Sequence, residues 1–151
     1  MSGFEEMQQR LPSRSDNYVN ALVLNEFGEA LILPTFNPHS ERMEWQLVSG
    51  GVEPGEDPLT AVQRILHAHT GCETRDWTYL SSYLSDLGCH AGVGHFFCAQ
   101  KVKQSTLPVQ TTAPKPHWIP LKELRYALLD GRIASISHAA NISLALLTIL
   151  K

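Results

Sequence analysis

Residues 45–72, WQLVSGGVEPGEDPLTAVQRILHAHTGC, constrain this chain more than any other stretch. An apolar run ends at Val48, a glycine pair follows at Gly50 and Gly51, and a third glycine stands at Gly55. Asp57 has the side chain of a helix cap, and Pro58 suits the first helical position, where its missing N–H costs nothing. Gly71 then offers the left-handed residue that ends helices. The expected unit is a short strand over 45–48, a glycine-rich loop carrying Gly50, Gly51 and Glu53, a helix from Pro58 to about Thr70, and a glycine stop. Val62 and Leu66 lie one turn apart and can enter a core. Residues three and four apart share a helix face, so positions 65, 68 and 69 are expected to point the same way.

The remainder of the chain bounds the setting of that unit. A length of 151 residues fits one domain with a sizeable core, here 17–151, preceded by a polar arm or short helix over 1–16 that contains Pro12. The net charge of -3 gives no basic field for a nucleic acid backbone, whose binding is dominated by electrostatics. The cysteines Cys72, Cys89 and Cys98 are odd in number, which points to reduced thiols and a cytoplasmic protein. The first residues lack a hydrophobic targeting core. The apolar stretch 142–150 is too short for a membrane span and is interrupted by Ser143 and Thr148. Neither nucleic acid nor membrane is an expected partner.

Taken in order, residues 18–24 read as a strand, 25–28 as a turn and 30–33 as the returning strand. A polar loop over 37–44 leads into the central unit. Beyond Gly71, strands are expected at 77–84 and 94–102, separated by a break at 85–88. Residues 103–116 read as loop, with prolines at 108, 114 and 116. A helix over 124–129 stops at Gly131, and Ser137 caps a last helix carrying Ile142, Leu146 and Leu150.

The central unit resembles the Nudix box, the loop–helix signature of the Nudix hydrolase superfamily. Aligned on Gly71, that pattern begins at Gly50, places its first glutamate on Glu56, its arginine on Arg64 and its hydrophobic residue on Leu66. Its three further glutamates fall on Ile65, Ala68 and His69. Trp45 is similar to a tryptophan that commonly precedes the box, and Gly28-Glu29 to a glycine–glutamate pair that leads the second strand. The segment 117–124, HWIPLKEL, resembles a tail common in the ADP-ribose pyrophosphatase branch. The resemblance covers about 17–150 and implies an α/β fold, a mixed sheet sandwiched between helices. It also implies hydrolysis of nucleoside diphosphate-linked compounds with magnesium or manganese, and a homodimer.

The residues at the box qualify that expectation. Hard cations take oxygen ligands, mostly from carboxylates. A methyl-bearing Ile65 and Ala68 cannot bind a metal, and the imidazole of His69 suits zinc, iron or nickel better than magnesium. Glu56 and His69 are the remaining metal candidates, and Glu56, Arg64 and His69 the catalytic ones. Glu56 equally reads as a structural partner of Arg64, Asp57 as a cap, and Glu53 as a loop-stabilising residue. Residues 101–117 contain no acid but hold Lys101, Lys103 and Lys115, either a solvated cationic loop or a clamp over an anion. His67 is expected to face outward beside Arg64. The spacing of Cys89, His90, His95 and Cys98 is not that of a zinc knuckle. Three readings follow: a Nudix domain with a degenerate metal site and weak or lost activity; an active pyrophosphohydrolase with a relocated metal site; and a binding or dimerising module that uses Ile65 and Ala68 as apolar contacts. Magnesium or manganese is the cofactor in the second and is dispensable in the others.

Overall fold

The computed structural model describes residues 16–84, 92–105, 109 and 111–150. The strands are β1 (Tyr18–Asn25), β2 (Ala30–Asn37), β3 (Arg42–Gln46), β4 (Val48–Gly51), β5 (Cys72–Glu73), β6 (Asp76–Leu84), β7 (Val93–Gln104) and β8 (His117–Ile119). The helices are α1 (Pro58–Thr70), α2 (Leu121–Asp130) and α3 (Ile136–Thr148). β1 is the hub. It pairs antiparallel with β2 and β4 and parallel with β7, so the sheet is mixed. β7 also carries β5 and β6 antiparallel, and β2 carries β3 and β8.

Strand side chains alternate between faces, and the core follows that period. Val19, Ala21 and Val23 of β1, Leu31 and Leu33 of β2, and Phe97 and Ala99 of β7 pack with Ala61, Val62, Ile65 and Leu66 of α1. Their neighbours Leu22, Leu24, Ala30, Ile32 and Cys98 pack with Leu124 and Ala127 of α2 and Ile142 and Ala145 of α3. The result is the expected α/β sandwich, a mixed sheet between helices. Among the described residues no helix is long and apolar enough to cross a membrane.

Polar contacts fix the layers in place. Asn25 accepts from the backbone N–H groups of Phe27 and Glu29, which with Gly28 at φ 77° sets the β1–β2 turn. Asn141 and Asn20 are fully buried, and the Asn141 amide donates to Asn20 Oδ1 at 2.6 Å and to the Phe97 carbonyl at 3.1 Å. This pins α3 to β1 and β7 at once.

Several boundaries differ from the sequence reading. The strand expected over 45–48 is two strands, broken at Leu47. The Leu47 N–H leaves the ladder and donates to Nδ1 of His138 at 3.2 Å. Burial pushes the His138 imidazole down to about 4, so a neutral ring with an acceptor nitrogen occupies the break. β7 runs through to Gln104, so Lys101 and Lys103 lie on a strand rather than in a loop. α2 opens at Leu121, because the Pro120 carbonyl already accepts from Glu123 and Leu124. α3 is opened by Ser135, not Ser137: Ser135 is extended and its carbonyl accepts the Ala139 N–H at 3.0 Å. The arm at 1–15, the break at 85–88, and Cys89 and His90 lie outside the described residues.

Candidate functional site

The loop–helix unit forms as its residues dictate. Asp57 Oδ1 accepts from the Leu59 and Thr60 backbone N–H groups at 3.0 and 3.2 Å, and Oδ2 from the Thr60 hydroxyl at 2.7 Å. The Thr60 hydroxyl, more than any other group, holds the Asp57 carboxyl below its usual range. Gly71 at φ 72° ends α1 and donates to the His67 carbonyl. Gly55, at φ 79°, makes the sharp turn before the helix.

Gly50 and Gly51 do not belong to an open loop. They continue β4 and pair with Val19 and Tyr18 of β1. Gly50 is needed for a close approach: a Cβ there would stand 2.7 Å from Ile65 Cδ1. The open part of the unit is therefore shorter than the glycine pair suggests.

Glu56 and Arg64 form a two-pronged ion pair. Arg64 Nε donates to Glu56 Oε2 and Nη2 to Oε1, both at 2.9 Å. Arg64 Nη2 also donates to the Gly51 carbonyl at 3.0 Å, and the Glu53 N–H donates to Glu56 Oε1 at 3.1 Å. The Arg64 guanidinium is the main cause that holds the Glu56 carboxyl below its ordinary value. Both Glu56 oxygens thus have partners that tie strand, loop and helix together. The Glu53 carboxylate lies further from Arg64, at 3.7 Å, and is largely solvated.

The three positions expected to point together do not share an environment. Ile65 is 3% exposed and belongs to the core under the sheet. It cannot be the apolar ligand contact anticipated for it, because β4, through Gly50, covers it. Ala68 is exposed. His69 is half-buried and lines a cavity of about 220 Å³ with Thr35, Gln46, Ser49, Thr111 and Thr112, over a floor of Leu33 and Leu47. The reason is chemical: an isoleucine at 65 gains by turning under β4, where a carboxylate would be unsolvated.

Glu56 lines a separate depression with Asn17, Val52, Asp57 and His95. Glu56 and His69, the two metal candidates, therefore face different pockets. Among the described residues no group of three or more His, Cys, Asp and Glu side chains is placed to hold a metal ion. The donor set at the box turn, two hydrocarbon side chains and one imidazole, does not fit magnesium or manganese.

Other candidates disperse as well. His67 is not beside Arg64 in solvent; it lies half-buried in a depression with Gln63, Glu73, Thr74 and Trp77. His95 Nδ1 is 2.9 Å from the Tyr79 hydroxyl, and burial lowers its pKa. Burial, aided by the nearby Asp76 charge, pushes the Cys98 thiol up to about 12, so no thiolate nucleophile forms there. Cys72 is buried too. Lys101 lies 3.9 Å from Asp76, and with Lys103 it flanks a depression formed by Glu73, Thr74 and Arg75, apart from the cavity of His69. The polar lining from Thr35, Gln46, Ser49, Thr111 and Thr112 was not anticipated. It comes from three separate segments, and no spacing in the sequence announces that they meet.

Comparison with known proteins agrees with this architecture. An RNA pyrophosphohydrolase of Bartonella quintana (strain Toulouse) is 40% identical over 52 residues, a match that spans 30% of each chain. A crystal structure of an ADP compounds hydrolase superposes with a TM-score of 0.73 at 18% identity, over 85% of this chain and 70% of that one. A NUDIX hydrolase from Nitrosomonas europaea superposes with a TM-score of 0.67 at 16% identity, over 87% and 88% of the two chains. At those identities the structural likeness speaks to the fold alone. The NUDIX domain family matches residues 15–139, most of the chain, and on that match this protein belongs to the NUDIX domain family.

Proposed function

We propose that this NUDIX domain binds a nucleoside diphosphate-linked small molecule and that its divalent-metal hydrolytic centre is degenerate, with activity weak or lost. The observation that carries the reading is the turn of α1 at 65–69. Where the box pattern has carboxylates it holds a buried Ile65, a bare Ala68 and His69, and no alternative set of three ligands stands among the described residues.

A diphosphate brought to a turn of three carboxylates needs metal ions between the like charges. With the carboxylates gone, magnesium keeps only water and substrate oxygens and is no longer positioned by the protein. The same loss removes the repulsion, so the cavity of His69 can accept an anion or a polar ligand directly. Thr35, Gln46, Ser49, Thr111, Thr112 and the His69 ring supply hydrogen-bonding groups there. In this reading the ion pair of Glu56 and Arg64 is structural, tying β4 and the loop to α1.

The test is a panel of sugar- and dinucleotide-linked diphosphates, ADP-ribose among them, with Mg2+, Mn2+, Zn2+ or chelator, followed by calorimetry and by product release. The expected result is binding that survives chelation, weakens in His69→Ala and proceeds without appreciable turnover. Efficient metal-dependent hydrolysis by the parent protein would overturn the proposal.

A further inference from the structure

Beside the cavity of His69 the chain changes partner strand within a single residue. Gln46 of β3 pairs with Leu33 of β2, while Val48 and Ser49 of β4 pair with Ala21 and Asn20 of β1. Leu47 stands between the two ladders and is 1% exposed, so its N–H has neither a strand acceptor nor water in reach. The acceptor comes from α3, where His138 Nδ1 receives the N–H at 3.2 Å. Two residues earlier, the Trp45 N–H likewise leaves the sheet and donates to the Arg132 carbonyl at 2.8 Å. The α2–α3 junction and the first turn of α3 thus satisfy the chain where it crosses from one strand to the other.

We propose, resting on the ligand-binding reading of that cavity, that His138 is its positioning residue: by holding the Leu47 N–H it fixes the crossover that brings Gln46 and Ser49 to one ligand. Gln46, Leu47 and Ser49 all line the cavity, whereas His138 does not, so the ring acts through the backbone. An aliphatic side chain at 138 would fill the space but leave a buried N–H without an acceptor. The peptide could relieve that only by turning toward a neighbouring strand or toward water. Either movement carries the side chains of 46 and 49 away from their common wall.

The ring is presented from a fixed base. Asn141 lies three residues on, hence on the same face of α3, and donates to Asn20 Oδ1 of β1 and to the Phe97 carbonyl of β7. The first turn of α3 is therefore locked to the sheet that carries β4. Burial also keeps the His138 ring neutral, which leaves Nδ1 free to accept and places the ring proton on Nε2. A bond with no more than a packing role could end on any residue of the crossover. This one ends on the residue that has a cavity wall on each side of it.

Nuclear magnetic resonance on the isotope-labelled full chain tests this, with the parent set against His138→Leu and His138→Asn at neutral pH. The asparagine Oδ1 falls close to the place of the imidazole Nδ1 and can accept; leucine has similar bulk and cannot. In His138→Leu the Leu47 amide should exchange at least about tenfold faster, while the Trp45 amide, held by Arg132, changes little. The Gln46 side-chain and Ser49 backbone resonances should shift, and the Kd for ADP-ribose with chelator present should rise about fivefold. His138→Asn should return all of these toward the parent. Should His138→Leu not fold, His138→Gln, whose acceptor lies beyond the Nδ1 position, takes its place in the comparison. Equal acceleration at Leu47 and Trp45 would overturn the proposal, since it would mean a general loss of stability. So would Gln46 and Ser49 resonances that stay where they were. Absence of ADP-ribose binding to the parent would count against the ligand-binding reading alone, because the resonances of 46 and 49 are read without ligand.

Discussion

Replacing Ile65 by glutamate puts back one carboxylate of the box pattern and probes what the turn has become. Ile65 is 3% exposed, packs among Leu33, Val48, Val62 and Leu66, and lies against Gly50. Losing that apolar burial costs about 2 kcal/mol. A carboxyl group left there without a partner adds about 1–3 kcal/mol. The expected loss for Ile65→Glu is then about 3–5 kcal/mol. In a chain of 151 residues that is a fall in Tm of about 10 °C. Burial would raise the folded-state pKa of the new carboxyl above its unfolded value. The penalty should therefore be least in acid, below the unfolded value, and grow as pH rises through the raised one. Thermal unfolding followed by circular dichroism at acid and neutral pH reads both effects. A variant as stable as the parent at neutral pH would refute the reasoning, because it would mean that position 65 faces solvent.

Three further outcomes are expected. Ile65→Glu, Ala68→Glu and His69→Glu combined should gain at most weak Mg2+ or Mn2+ affinity by calorimetry, because position 65 lies in the core, 68 in solvent and 69 at a cavity, with hydrolysis remaining low. Full turnover in that variant would show that the rest of the site is still catalytic. Gly50→Ala should cost about 1–2 kcal/mol in urea unfolding through its clash with Ile65 Cδ1. Ile65→Val, which removes that atom, should recover part of the loss in a double-mutant cycle, and strict additivity would argue against the contact. His138 titrates at about 4 in the fold against an ordinary 6.5, so the unfolded chain binds the proton first. Stability tied to this group is fully present above 6.5 and is lost as pH falls toward 4, on the order of 3 kcal/mol in all. His138→Leu should flatten that slope, and an unchanged slope would point to other groups.

Local signals carried most of the fold. The cap at Asp57, Pro58 at the first helical position and the stop at Gly71 are short-range chemistry, and they place α1 to the residue. The nearly continuous apolar run in β1 likewise announces a strand buried on both faces. Long-range contacts were not legible. The break at Leu47 exists because His138, far along the chain, takes its N–H. Gly50 and Gly51 look like loop until pairing with β1 makes them strand. At the site, the sequence revealed the missing carboxylates, since position along a helix fixes which residues share a turn. It could not reveal that Ile65 turns inward while His69 turns to a cavity, because that depends on Gly50 leaving room for one and on Ser49, Gln46 and the 111–114 segment meeting the other.

In the function proposed above, the box turn no longer grips a divalent cation. Titrating Mn2+ into the metal-free protein and following the paramagnetic resonance of the free ion tests it most directly. The expected free-ion signal equals that in buffer alone up to millimolar protein. A stoichiometric loss of signal that disappears in His69→Ala or Glu56→Gln would contradict it.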